Sequence, residues 1–106
     1  MSNDQRGIFV PAEYVRALNG NSNAAIYLAM LVKGQSSEDC WFGFAEEVIE
    51  SNTGLNKGGQ ASARNLLTRL GVIDYTYKGS PRLPWVRVNK YVLAALIKRS
   101  HGENHG

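Results

Sequence analysis

The stretch Glu46–Ile73, EEVIESNTGLNKGGQASARNLLTRLGVI, decides the fold. Residues Ala45 to Asn52 read as a helix, with Glu46 and Glu47 in the first turn, where the helix dipole favours negative charge. Val48 and Ile49 are its expected inward residues. Thr53-Gly54-Leu55-Asn56 breaks that helix with a tight turn in which Gly54 supplies a positive φ. A second helix begins at Lys57 or a little later and runs to Leu70. Its apolar residues Ala63, Leu66, Leu67 and Leu70 follow the i, i+3, i+4, i+7 spacing of one buried face. The opposite arc carries Lys57, Ala61, Arg64, Asn65 and Thr68, with Arg69 at its edge, and Gly71 ends the helix.

Working outward, Val72 to Tyr77 alternates and is β-branched or aromatic, which predicts a strand. Lys78 to Pro84 reads as a loop that cannot continue a ladder, and Trp85 to Val88 as the returning strand. Asn89 caps a last helix, Tyr91 to Arg99, with Val92, Leu93, Leu96 and Ile97 as its buried stripe. Upstream, Pro11 opens a short helix bearing Tyr14, Val15 and Leu18 that stops at Asn19-Gly20. Asn21-Ser22-Asn23 offers capping oxygens to a helix from Ala24 to about Val32. That helix is apolar almost all round and so belongs at the centre of the domain. Residues 34–40 form a polar loop, and Trp41 to Phe44 a short aromatic strand over the core.

At 106 residues the chain suffices for one domain, and 43% hydrophobic with 20% charged residues is a globular composition. No apolar run approaches the ~18–20 residues of a membrane span, and the polar N-terminus leads into no signal-type core. The lone Cys40 makes no internal disulfide, which fits a reducing compartment. The net charge of +3 conceals a polarity. Residues 1–56 hold three basic against seven acidic side chains, and residues 57–106 nine against two. A basic second half points toward a polyanion such as nucleic acid.

Helix, glycine turn, amphipathic helix and then a hairpin with a basic tip is the order of a winged helix-turn-helix, and residues 41–88 resemble one. Arg64-Asn65-Leu66-Leu67-Thr68-Arg69-Leu70-Gly71-Val72-Ile73 is similar to the ending of a recognition helix that hands over to the wing. Ile8-Phe9-Val10-Pro11 and the apolar helix containing Ile26-Tyr27-Leu28-Ala29 resemble the N-terminal winged-helix domains of plasmid and phage replication initiators, of the RepA and DnaD-like type. The resemblance implies a mainly α fold with a small β-hairpin (α+β), about five helices and a wing sheet of two to three strands. It also implies an origin-binding domain at residues 8–99, between a flexible stretch at 1–7 and a polar tail or linker at 100–106. A C-terminal part beyond such a linker would recruit the replicative helicase. Two departures stand out: the turn around Glu50 to Thr53 runs one residue longer than the common pattern, and Gly58-Gly59 replaces polar helix formers.

A helix fits the major groove of B-DNA, with its first turns nearest the base edges. Asn56, Lys57, Gln60, Ala61, Arg64, Asn65 and Thr68 are the expected reading face: Arg64 is suited to guanine, Asn65 or Gln60 to adenine. Lys78, Ser80, Arg82 and Arg87 are the expected wing contacts, gripping phosphate or entering the minor groove. The expected partner is double-stranded DNA in the cytoplasm of a bacterial or phage-infected cell, with no membrane. No enzyme, cofactor or metal is expected: residues 1–100 lack histidine, no phosphate-binding glycine loop of known type is present, and His101, Glu103 and His105 lie in a glycine-bounded tail. Trp41, Trp85 and the tyrosines read as packing residues. Two alternatives use the same fold. One is a small repressor, which would need a homodimer through Tyr91, Leu93 and Leu96. The other is a protein-binding module using Trp41–Phe44.

Overall fold

Three asparagines start three helices. Asn21 Oδ1 accepts from the Ala24 amide at 3.0 Å, Asn56 Oδ1 from the Gly59 amide at 2.8 Å, and Asn89 Oδ1 from the Val92 amide at 3.1 Å. In the computed structural model, which describes residues 9–35, 41–43, 45–79 and 83–103, the elements run as follows. They are α1 (Ala12–Ala17), α2 (Ser22–Gly34), β1 (Phe42–Gly43), α3 (Glu46–Thr53), α4 (Lys57–Arg69), β2 (Ile73–Lys78), β3 (Leu83–Val88) and α5 (Lys90–Glu103). The chain is mainly helical, with one small antiparallel sheet in the order β1-β3-β2, a winged-helix-like α+β arrangement.

The apolar α2 occupies the centre, as its composition requires. Ala24, Ala25, Tyr27, Leu28, Ala29 and Leu31 are all buried, and α2 packs chiefly against α4. Leu18, Ile49, Leu55, Ala63, Leu67, Val72, Ile73, Val86, Val88 and Leu93 complete the core. At the end of α2 the Gln35 amide behaves as an extra strand. Its Nε2 donates to the Val88 carbonyl at 3.2 Å, and its Oε1 accepts from the Val88 amide at 2.7 Å. β1 pairs only with Trp85 and Val86, so this buried side chain satisfies the backbone of β3 where β1 does not reach.

Four sequence expectations are corrected. Leu70, the last residue of the apolar row of α4, is 39% exposed rather than buried. Val48 is 55% exposed, whereas Ile49 is buried. Neighbouring helical residues point about 100° apart, so this two-turn helix buries one of them against α2 and leaves the other outside. Lys78 belongs to β2, and Leu83 and Pro84 to β3, rather than to a loop: the ladder continues through Tyr77↔Pro84 and Lys78↔Leu83. Proline's fixed φ is compatible with an extended strand, and only the donor is lost. The last helix runs on to Glu103 rather than ending at Arg99. Ser100 Oγ donates to the Ile97 carbonyl at 2.9 Å within it, so the expected tail at 100–106 is helical in its first part.

Candidate nucleic-acid interface

The turn between α3 and α4 is closed by its own side chains. Thr53 Oγ1 donates to the Ile49 carbonyl at 2.7 Å and accepts from the Leu55 amide at 3.1 Å. Gly54 follows with φ +83°, a conformation that side chains with a Cβ adopt at a cost. Leu55 turns into the core and Asn56 caps α4, which starts at Lys57 despite Gly58 and Gly59.

Gln60 and Arg64 set the angle between the helices. Gln60 is fully buried, and its Nε2 donates to the carbonyls of Glu46 and Leu55, both at 2.9 Å. The start of α3, the turn and α4 are thereby tied to one amide. Arg64 is 4% exposed. Its Nη1 donates to Tyr27 Oη at 3.0 Å, and its Nη2 lies 3.5 Å from both Glu46 Oε2 and Tyr77 Oη. The guanidinium also sits 5.3 Å from the Tyr75 ring centroid and 6.0 Å from that of Tyr27. Burial works against the Arg64 charge, but the hydrogen bond to Tyr27, followed by Tyr77 and Glu46, raises its pKa above the ordinary value. Burial likewise pushes the Tyr27 hydroxyl up to about 12, against the opposing pull of Arg64.

The expectation that Gln60 and Arg64 read bases is therefore corrected. Both side chains are enclosed and hydrogen-bond to groups of α2, α3, the turn and the sheet, while Gln60 Oε1 and Arg64 Nε are buried without a hydrogen-bond partner among the described residues. The helix wheel puts Arg64 on the polar arc, but a long side chain reaches round the helix to three tyrosines whose placement is a tertiary property.

The remaining members of the predicted reading face do point outward. Lys57, Asn65 and Thr68 are exposed, Ala61 is half-buried between them, and Ser62 and Arg69 flank the row. Asn56 is exposed, with its side chain engaged as the cap. Lys57 Nζ lies 3.7 Å from Glu47 Oε2, a pair exposed enough to contribute little. Thr68 Oγ1 donates to the Arg64 carbonyl at 2.7 Å.

The expected wing residues divide. Ser80 and Arg82 lie outside the described residues. Strand alternation carries Asp74, Thr76 and Lys78 of β2, and Trp85 and Arg87 of β3, to the face of the sheet turned away from α4. Tyr75 and Tyr77 are on the other face, edge to face with centroids 6.1 Å apart. Lys78 Nζ is 5.2 Å from the Trp85 ring centroid and 5.9 Å from that of Trp41, and the Arg87 guanidinium is 5.1 Å from Trp41. Arg87 also pairs with Asp74 at 2.9 Å. The sequence does carry the signal for this grouping, since Lys78, Trp85 and Arg87 share one face by period two once the register is known.

Elsewhere, Met30, Leu31, Phe42, Val48 and Ile49 line an apolar depression of about 390 Å³ between α2, β1 and α3. Among the described residues no group of His, Cys, Asp and Glu is arranged to hold a metal ion, and no helix is long and apolar enough to cross a membrane. Cys40, Phe44 and His105, and the side chains of His101 and Glu103, fall outside the described residues. No family model, curated protein or solved structure matches the chain.

Proposed function

We propose that this chain binds double-stranded DNA as a winged helix-turn-helix, with α4 in the major groove, and that its biological role is origin binding for a phage, plasmid or mobile-element replication initiator. The observation that carries the reading is the outward row Lys57, Ala61, Asn65 and Thr68. It is free of acidic residues, made of short or hydrogen-bonding side chains, and mounted on a helix that buried Gln60 and Arg64 hold at one angle. A rigid helix of this kind matches the width of the major groove. Asn65 carries an exposed amide of the kind that pairs with adenine N6 and N7, Ala61 leaves room for close approach, and Lys57 would meet phosphate near the helix start. Origin binding rests on the resemblance of the flanking helices to replication initiators.

A titration of labelled random duplex, followed by fluorescence anisotropy at low and rising salt, tests the reading. Affinity should fall by about 0.9 log units per decade of salt for each phosphate neutralised. Lys57→Ala should weaken all duplexes alike and flatten that slope by about one phosphate. Asn65→Ala should relax preference among duplexes selected from a random pool. Absence of duplex binding at low salt refutes the proposal. It would favour a second reading, a protein-binding module, for which exposed Val48 and the apolar depression beside it are the specific observation.

A further inference from the structure

We propose a second nucleic-acid site, distinct from α4: the outer face of the sheet binds single-stranded nucleic acid, with bases stacking on Trp41 and Trp85 and phosphates held by Lys78 and Arg87. Four observations meet there. The two indoles come from different parts of the chain, Trp41 from the lead into β1 and Trp85 from β3, yet the same Lys78 ammonium lies near both rings. Both indoles are half-buried, neither in the core nor fully solvated.

Position 43 is the third observation. A Cβ on Gly43 would come within 3.0 Å of the Trp85 ring, so the glycine lets the indole lie against the backbone of β1. This braces one side of the ring and leaves flexible Lys78 on another. Lastly, the two cations are of a kind that phosphate draws away from a ring. Lys78 is exposed on β2, and among the described residues Arg87 forms its ion pair with the half-exposed Asp74. When a phosphate takes the ammonium or guanidinium, the aromatic faces they cover become platforms for bases. Aromatic stacking beside a basic track is how single strands are held without sequence preference, and the chemistry suits DNA and RNA alike. A duplex does not fit this face in the same way, because its bases are already stacked on one another.

The chain's two tryptophans are both in this cluster, so intrinsic tryptophan emission reports on this face alone. The test titrates the whole chain with oligo(dT) and oligo(rU), and separately with an unlabelled duplex, at low salt. Either single strand should quench the emission, with a log–log salt slope of about −1.4, that is about 0.7 for each of two phosphates. Replacing Lys78 and Arg87 together by Gln keeps both indoles and should weaken quenching at least tenfold while the far-UV circular dichroism is unchanged. Trp41→Ala should weaken single-strand binding at least fivefold by anisotropy and leave duplex affinity within twofold. No quenching by either single strand refutes the site. Equal quenching by the duplex, displaced by neither single strand, refutes its assignment to single strands. Quenching by single strands without any duplex binding supports this site while overturning the role proposed for α4.

Discussion

Replacing Tyr27 by Phe removes the hydroxyl that accepts a buried hydrogen bond from Arg64. Tyr27 is fully buried and Arg64 is 4% exposed, so no solvent stands ready to replace the hydroxyl that accepts from Arg64 Nη1 at 3.0 Å. The contacts to Glu46 and Tyr77 are made by Nη2 and lie at 3.5 Å, so they do not compensate Nη1. A hydrogen bond to a charged group contributes about 1.5–3 kcal/mol, and a loss near 2 kcal/mol is expected here. With an unfolding entropy of about 2.1 cal/mol/K per residue, or about 220 cal/mol/K for the chain, that loss lowers Tm by about 9 °C.

Arg64→Met keeps the aliphatic stem and removes the charge, leaving the Tyr27 hydroxyl without its donor, at about 1–3 kcal/mol. The double variant should then be more stable than the sum of the two losses by at least about 1 kcal/mol, because the second change removes a hydroxyl that has already lost its bond to Arg64. Calorimetry and urea unfolding of the four proteins give the cycle. Additivity within about 0.5 kcal/mol would mean that the bond does not exist. Arg64→Met that leaves stability intact but erases sequence preference in DNA binding would mean that Arg64 reaches the groove instead of the core.

Three further outcomes are expected. The folded Tyr27 pKa of about 12 lies above its ordinary value of 10.0, so the stability it confers is complete below pH 10 and lost as pH rises from 10 to about 12. That loss is roughly 2–3 kcal/mol, and the Tm-versus-pH slope in this window should be shallower in Tyr27→Phe than in the wild type. Gln35→Leu strips both partners from the Val88 backbone and should destabilise by about 2–4 kcal/mol in urea unfolding; a change under about 0.5 kcal/mol would show that β3 needs no such closure. Gly43→Ala forces a methyl to within 3.0 Å of Trp85 and should cost about 1–3 kcal/mol with a shifted tryptophan emission maximum; an unchanged spectrum would place the indole elsewhere.

Much of the fold is legible in local chemistry. Asn21, Asn56 and Asn89 precede helices because a short amide can accept from a first-turn N–H, and Gly54 and Gly71 follow helices because a positive φ costs them little. The apolar girth of residues 24–32 leaves the centre of the domain as the place for α2. The errors fall where one element's environment is supplied by another. Val48 and Ile49 look equivalent until a single neighbouring helix chooses between them. Pro84 looks like a breaker until the β2–β3 ladder runs through it, opposite Tyr77.

The sequence by itself determined the order of elements, their caps and turns, and a positive excess beginning at Lys57, because these depend on residues a few positions apart. Only the tertiary structure decided which charges face solvent. Arg64 belongs to the basic half by count, yet it folds under α4 to Tyr27, 37 positions away in sequence. Lys78, Trp41, Trp85 and Arg87 become neighbours only when the sheet register brings three strand segments together. Burial and proximity are properties of the packed chain, and composition does not record them.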